Sequence, residues 1–363
     1  MRRLFSNVAR CLVLQIFSVG GLSTWTYGTG PVGPHNWGGQ CKNGKSQSPI
    51  NLMSNTSNPM ERWAFSYSYR YKVPCTIENG GNSIKFSFET SKPTTISGGD
   101  LNGEFLLSHG TFHWGSTDTE GSEHMVEGKS FPLEIQLVHY NSKYGSYKKS
   151  VGKKDGLAVF AVLHKLSEKD NSKLSPLINS LEQITNPGAT FTLEKEIEPR
   201  SILPMIASPL YRYTGSLTTP PCNELVTWTV FYHTNSVSSS QLQKLRSLRK
   251  TDGNLMDETF RPTASLNSRT VNCGAAYLAE KVTNTTTTTT VRTATKIMKT
   301  RKDYLQMSLK SDEPRWYNKP APLWTVLVGG ILVLVAGTVF AFFMVKKTIP
   351  SHERVPTDDI ELE

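Results

Sequence analysis

The sequence predicts an α+β fold dominated by β-sheet, and three observations point to it. Residues 83–88 and 133–140 alternate apolar with polar side chains, which is the period-two pattern of β-strands. Residues 157–163 and 226–231 are continuous apolar runs, which suit central strands buried on both faces. Helical pattern is sparse by comparison. We therefore expect one sheet-dominated unit with a few peripheral helices.

Helical periodicity is confined to two short stretches. Residues 174–184 form the first, and residues 239–250 form the second, where leucines recur at three-residue spacing. We find no internal repeat. The folded unit is expected to run from residue 24 to about residue 273, because the character of the sequence changes after that point.

The first 22 residues have the features of a secretory signal. Arg2, Arg3 and Arg10 lead into an apolar run at 12–22 that ends among small residues. An N-terminal membrane helix is the alternative, but this run is too short to span a bilayer. Residues 1–22 are therefore interpreted as a signal peptide.

Residues 323–345 contain no charge and are long enough to cross a hydrocarbon core of about 30 Å. We interpret them as a transmembrane helix rather than a buried core helix, because Lys346 and Lys347 follow at once and a polar tail ends the chain. Together with the signal, this predicts a single-pass type I protein of the plasma membrane with its folded domain outside the cell. Residues 346–363 would be the cytoplasmic tail, which is too short to fold.

Residues 274–322 have the composition of an extended stalk. Six consecutive threonines at 285–290 and the absence of periodic apolar residues predict an O-glycosylated segment that builds no core. Sequons for N-glycosylation begin at Asn55 and Asn284. Both are predicted to carry glycans, because the expected topology places them outside the cell.

The net charge limits the classes of partner, and the cysteine content bears on the compartment. The formal net charge of +10 suits an anionic partner such as a sulfated glycosaminoglycan, or simply a solvated surface, and we expect no nucleic acid. Cys11 lies in the predicted signal. In an oxidising compartment the remaining four cysteines should pair, and three connectivities are possible. They are Cys41, Cys75, Cys222 and Cys273.

Several motifs follow one another along the predicted domain. They include Gln-Ser-Pro-Ile-Asn at 47–51, Gly-Thr-Phe-His-Trp-Gly at 110–115, Gly-Ser-Leu-Thr-Thr-Pro-Pro-Cys at 215–222 and Phe-Arg-Pro at 260–262. In this order they resemble the α-class carbonic anhydrases over essentially the whole domain. The resemblance implies one large, twisted, mostly antiparallel sheet of about ten strands with short helices around it. It also implies a disulfide between Cys41 and Cys222, while Cys75 and Cys273 could be free, paired with each other or bonded between chains.

The resemblance places this chain's own residues at the zinc site of that family. Three neutral histidines hold the metal there and lower the pKa of its bound water to about 7. The corresponding residues here are Thr111, His113 and Gln136, so one ligand of three remains. Threonine is not a zinc ligand type, and a glutamine amide oxygen is poorly suited beside imidazole. No bound cofactor is therefore expected.

Other positions of the family's site are retained. Thr218 and Glu123 match the threonine that positions the zinc-bound hydroxide and the glutamate that orients it. The apolar carbon dioxide pocket of the family corresponds to Val138, Val159, Leu217, Val226 and Trp228.

The supporting positions are mixed. His109 stands where the family has a glutamine, Thr259 where it has an asparagine, and Gly81 or Asn82 where it has a proton-shuttle histidine, whereas Glu134 matches the carboxylate that orients the third ligand. His109 shares a strand face with His113, but four residues along a strand span about 13 Å. One metal ion can hardly reach both.

These replacements most resemble the carbonic-anhydrase-like ectodomains of receptor tyrosine phosphatases γ and ζ, which are binding modules. We therefore expect a catalytically inactive cell-surface protein that binds an extracellular protein or a sulfated glycosaminoglycan. One alternative is a zinc-dependent carbonic anhydrase with an atypical or residual metal site. Another is a fold that only presents glycans or spaces the membrane.

Overall fold

The computed structural model describes residues 25–69, 72–89, 93–204 and 207–280. The predicted signal, transmembrane helix and cytoplasmic tail lie outside the described residues, as do Asn284 and the stalk beyond residue 280. Within the described residues, no helix is both long enough and apolar enough to cross a bilayer.

Most of the described chain is organised as strands. In chain order they are β1 (Asn51–Leu52), β2 (Asn58–Tyr67), β3 (Cys75–Asn79), β4 (Ile84–Phe88), β5 (Thr95–Gly98), β6 (Phe105–Trp114), β7 (Met125–Val126), β8 (Leu133–Asn141), β9 (Leu157–Ser167), β10 (Thr190–Thr192), β11 (Ala207–Gly215), β12 (Val226–Ser238) and β13 (Asn272–Glu280). The strand-like patterns at 83–88, 133–140, 157–163 and 226–231 correspond to β4, β8, β9 and β12. Strand β13 runs past the boundary predicted at residue 273.

The helices are short. They are α1 (Gln40–Asn43), α2 (Tyr147–Ser150), α3 (Ser175–Asn179) and α4 (Ser239–Arg246), with 3-10 turns at Pro34–Asn36, Ser54–Thr56, Ser142–Tyr144, Leu181–Ile184 and Pro199–Ile202. The helical pattern at 174–184 is divided at Ser180. Its hydroxyl donates to the carbonyl of Pro176 at 2.9 Å, and its own N–H bonds to the carbonyl of Leu177, in the tighter 3-10 pattern. Helix α4 begins with a capping box formed by Ser238 and Gln241.

One mixed sheet organises the described domain. Its order is β10-β3-β4-β6-β5-β2-β13-β11-β12-β9-β8, and β6 also pairs with β8. All pairs are antiparallel except β2–β13 and β9–β12. The large sheet expected from the sequence is thus confirmed, with eleven strands among the described residues. Strands β1 and β7 form a separate parallel pair.

The central strands bury both faces, and each face has its own core. From β8 and β9, Leu137 and Phe160 belong to the larger cluster, whereas Val138 and Val159 belong to the other. Successive side chains point to opposite sides of a strand, so a continuous apolar run supplies both cores at once. The second core lies on the face that also carries Gln136.

The predicted disulfide is confirmed. Cys41 in α1 is bonded to Cys222, with a Cα–Cα distance of 5.0 Å and a sequence separation of 181. Cys75 and Cys273 are free thiols and are not bonded to each other. Burial raises the pKa of the Cys75 thiol to about 12, so this cysteine is unreactive at neutral pH. Asn55, a predicted glycosylation site, is exposed in the turn Ser54–Thr56.

Candidate functional site

The site is built on one face of the β6–β8 pair. Thr111 lies directly opposite Gln136, and His113 lies opposite Glu134. Because side chains alternate along each strand, all four point to the same side of the sheet. Glu123 reaches the group from the segment between β6 and β7. His113, Gln136 and both glutamates are almost completely buried.

His113 has both ring nitrogens engaged. Its Nδ1 lies 2.7 Å from the backbone carbonyl oxygen of Thr259, which can only accept, so Nδ1 carries the proton. In the neutral ring Nε2 is then the acceptor. It lies 3.1 Å from the hydroxyl of Thr111, which therefore donates to it. A metal ion would need the lone pair of Nε2, but that lone pair already accepts the hydrogen bond from Thr111, which itself stands at another ligand position of the family.

Gln136 joins two buried carboxylates. Its Nε2 donates to Oε2 of Glu123 at 2.7 Å and to Oε1 of Glu134 at 3.0 Å. The carboxylate of Glu134 is ionised and can only accept hydrogen bonds, so this contact fixes the orientation of the amide. The amide nitrogen faces the two carboxylates and directs the amide oxygen away from them. Gln136 acts here as a neutral clamp between two acids.

The two carboxyl groups have different electrostatic settings. Burial raises the pKa of Glu134, but the charge and hydrogen bonds of His124 outweigh this and lower that pKa to about 2. The His124 backbone N–H donates to Glu134 at 2.8 Å, and its Nδ1 lies 2.9 Å from the same carboxylate. Glu134 is therefore ionised at neutral pH.

Glu123 lacks such a dominant partner. Burial raises its pKa above the usual range, and the proximity of Glu134 raises it further. The lowering contributions of His113 and of the hydrogen bonds from Thr218 and Gln136 do not cancel the burial effect. His113 Nδ1 is 3.5 Å from Glu123 Oε1, which also accepts the backbone N–H of Arg261 at 3.1 Å.

The retained part of the family's site is assembled next to this group. Thr218 is buried and hydrogen-bonded to Glu123. The five residues predicted to line an apolar pocket all belong to, or pack against, the second core: Val138, Val159, Leu217, Val226 and Trp228. The Trp228 indole N–H donates to the carbonyl of Ser216 at 3.1 Å, which fixes its ring beside the site.

The supporting positions turn out differently from one another. The replacement at Thr259 does not remove the support of His113, because the backbone carbonyl provides it. His109 is buried beside the Tyr147 ring, and burial, followed by the charge of Lys85, lowers its pKa to about 3. Asn82, which with Gly81 is one of the two candidates for the shuttle position, donates its side-chain N–H to the carbonyl of Trp25 at 2.7 Å. An amide held in this way cannot relay protons.

Two features of the site were not predicted from the sequence. One is the clamp, because residue types alone do not show where an amide points. The other is Tyr27, whose ring centroid lies 6.5 Å from that of His113 and whose buried hydroxyl has no hydrogen-bond partner. The aromatic sequence Trp25-Thr26-Tyr27-Gly28 at the start of the domain was the available signal for this second feature.

The donor set does not fit a zinc ion. Among the described residues, no three histidine, cysteine, aspartate or glutamate side chains converge so as to hold a metal. At the three positions of the family's ligands, Nε2 of His113 accepts from Thr111, and the amide nitrogen of Gln136 faces two carboxylates. A structural or catalytic zinc site needs at least three nitrogen, sulfur or carboxylate ligands around one point.

Comparison with known proteins gives consistent matches. A family model for eukaryotic-type carbonic anhydrase matches residues 32–274. Carbonic anhydrase 1 of Oryctolagus cuniculus is 39% identical over 209 residues, which is 56% of this chain and 87% of that protein. Carbonic anhydrase 6 of Mus musculus is 34% identical over 271 residues, which is 71% of this chain and 84% of that protein. The family match spans every strand from β1 to β12 and the site between β6 and β8.

Proposed function

Because this chain belongs to the eukaryotic-type carbonic anhydrase family, we propose that it is a catalytically inactive member that serves as a binding module at the cell surface. It holds no catalytic zinc and does not hydrate carbon dioxide. The observation that carries this proposal is the clamp, in which Gln136 donates to Glu123 and Glu134 at a position where the family has a metal-binding histidine.

Metal binding would have to disrupt a site that is already satisfied. An ion at Nε2 of His113 would displace the hydroxyl of Thr111. Turning the amide of Gln136 to present its oxygen would break two charge-assisted hydrogen bonds, each worth about 1.5–3 kcal/mol. The ion would gain a single imidazole and neutral oxygens in return, a ligand set that zinc disfavours.

A zinc-dependent carbonic anhydrase with an atypical metal site is the second candidate. One observation favours it: Thr218 remains hydrogen-bonded to Glu123, next to an intact apolar cluster. This reading expects hydratase or esterase activity that a sulfonamide inhibits.

The cellular setting forms part of the proposal. The Cys41–Cys222 disulfide agrees with an oxidising compartment. We propose a single-pass type I membrane protein that exposes this domain outside the cell, where its partner is an extracellular protein or a sulfated glycosaminoglycan. Surface cross-linking that repeatedly recovers no partner would favour a fold that only presents glycans or spaces the membrane.

Metal analysis and a hydration assay on the purified full-length chain test the proposal. The parent protein should hold no stoichiometric zinc and should hydrate carbon dioxide at the background rate. The double variant Thr111→His, Gln136→His should gain zinc, because it restores three imidazoles on the two strands. Stoichiometric zinc in the parent, or activity above background that a sulfonamide abolishes, would overturn the proposal.

A further inference from the structure

Residues 142–155 place many exposed positive charges in a short segment. Only one acid, Asp155, accompanies its five exposed lysines, which are Lys143, Lys148, Lys149, Lys153 and Lys154. The segment comprises the turn Ser142–Tyr144, helix α2 and the loop that leads into β9. We call these five lysines the lysine surface.

Hydrogen bonds fix the shape of this segment. The Asn141 side chain accepts the N–H of Lys143 at 3.2 Å, and the Ser146 hydroxyl accepts the N–H of Lys149 at 3.3 Å. Gly145 adopts a φ of 76° between these two turns, a conformation that favours glycine. The loop then closes with a bond from the N–H of Gly156 to the carbonyl of Lys153 at 2.9 Å. The lysine backbones are therefore ordered before any partner arrives.

The segment is also anchored to the sheet. The Tyr147 ring, at the start of α2, packs edge-on against His109 of β6 with 5.1 Å between ring centroids. The buried hydroxyl of Ser150 donates to the carbonyl of Ser146 at 3.0 Å, inside the same turn. A pre-ordered surface binds with a smaller entropic penalty than a flexible one.

Most of the positive charge is uncompensated. Lys143 forms an ion pair with Asp155, and its hydrogen bond to that carboxylate lowers the pKa of Asp155 to about 2. The ammonium groups of Lys143 and Lys153 lie 4.9 Å and 5.9 Å from the centroid of the Tyr144 ring. Lys148, Lys149, Lys153 and Lys154 form no ion pair with any described residue. Like charges within one short segment repel one another, so an anionic partner relieves the repulsion.

The expected location of the domain outside the cell favours one class of polyanion over the others. The disulfide indicates an oxidising compartment, which disfavours nucleic acid as the partner. Anionic lipids give the cytoplasmic leaflet its negative surface potential, so a domain outside the cell would not meet that potential. We propose that the lysine surface binds a sulfated polysaccharide, an inference that rests on the proposed role as a cell-surface binding module.

Heparin serves as the probe, with the purified full-length chain and a surface-binding assay over a range of salt concentrations. The test variant replaces four unpaired lysines by glutamine: Lys148→Gln, Lys149→Gln, Lys153→Gln and Lys154→Gln. The matched control removes the same charge elsewhere, from exposed lysines without an ion pair: Lys165→Gln, Lys169→Gln, Lys173→Gln and Lys195→Gln.

The test variant should bind heparin at least about tenfold more weakly, and its plot of log affinity against log salt should become shallower by about three, as expected when several charges no longer displace counterions. The heparin affinity of the control variant should stay close to that of the parent protein. Desulfated heparin should bind neither of these two proteins. Equal loss in both quadruple variants, or unchanged affinity in the test variant, would overturn the proposal. Binding to phosphatidylserine vesicles but not to heparin would overturn it as well.

The same preparations separate this inference from the proposed function. Thermal unfolding shows that each variant is folded, and zinc content with the hydration rate reports on the site independently of heparin. If the protein is inactive and zinc-free but does not bind heparin, the proposal for the lysine surface is refuted and the proposed inactivity is not. If the protein is an active zinc enzyme that binds heparin, the proposed inactivity is refuted and the proposal for the lysine surface is not.

Discussion

The clamp at Gln136 predicts a destabilisation that depends on pH. Methionine has nearly the same size and shape as glutamine, so Gln136→Met removes the amide without opening a large cavity. Two hydrogen bonds to buried carboxylates are lost, at 2.7 Å to Glu123 and 3.0 Å to Glu134. Because each contributes about 1.5–3 kcal/mol, the free energy of unfolding should fall by about 3–6 kcal/mol near neutral pH.

The pH dependence follows from Glu123. Its folded pKa is already raised by burial, and the bond from Gln136 is one of the influences that lower it. Without that bond the folded pKa rises further, so the folded variant takes up a proton at a pH where the unfolded chain does not. Acidification from about pH 8 to about pH 5 should therefore stabilise the variant relative to the parent protein. The destabilisation should be larger at the higher pH.

Guanidinium-induced unfolding, followed by tryptophan fluorescence at both pH values, measures the effect. Gln241→Met is the matched control. The buried Gln241 donates to the neutral carbonyl of Asn171 at 3.0 Å, not to a carboxylate. This control should lose about 1–3 kcal/mol to the same extent at both pH values.

Two results would refute the reasoning. A loss below about 1 kcal/mol for Gln136→Met at the higher pH would mean that the amide does not hold the two carboxylates, since even one charged hydrogen bond exceeds that value. A loss that fails to shrink on acidification would mean that the raised pKa of Glu123 is not under the influence of Gln136.

Three further predictions concern other parts of the domain. Replacing both Cys41 and Cys222 by alanine should lower the free energy of unfolding by up to about 5 kcal/mol, because the bond closes a loop of 181 residues; an unchanged denaturation midpoint would contradict this. The pKa of His109 is lowered to about 3, so its NMR ring signals should not titrate above about pH 4.5, and the stability that it contributes should be lost as pH falls from about 6.5 towards 3. Thr259→Ala should lower the free energy of unfolding by about 1–3 kcal/mol, because the Trp114 N–H loses its acceptor at 3.0 Å; the NMR signal of the His113 Nδ1 proton should persist, since its acceptor is a backbone carbonyl.

The strands that the sequence predicted are those whose pattern is local. Strands β4 and β8 were predicted from the alternation of apolar and polar side chains, and β9 and β12 from continuous apolar runs. Such patterns are local because burial on one or both faces determines the side-chain type at each position. Strands β2 and β13 were not predicted. They pair in parallel across more than 200 residues of sequence, from Asn58 to Asn272, and no local pattern contains such a contact.

The site shows a similar division between residue identity and geometry. The resemblance assigned Thr111 and Gln136 to ligand positions and indicated their poor chemistry for zinc. It did not show that the Thr111 hydroxyl would take up the free nitrogen of His113, or that Gln136 would turn its nitrogen towards two acids. Both depend on atoms from other segments, notably the carbonyl of Thr259, which any residue type would provide.

The two-residue period of β6 and β8 has a consequence for how such a protein changes over time. Thr111 and Gln136 face the site, while their neighbours Phe112, Ile135 and Leu137 face the larger core. Substitutions on one side of these strands therefore leave the packing of the other side intact. A side chain on the site face can therefore be exchanged without changing the side chains that pack in the larger core. On these two strands, the residues that set the chemistry of the site are separate from the residues that build the larger core.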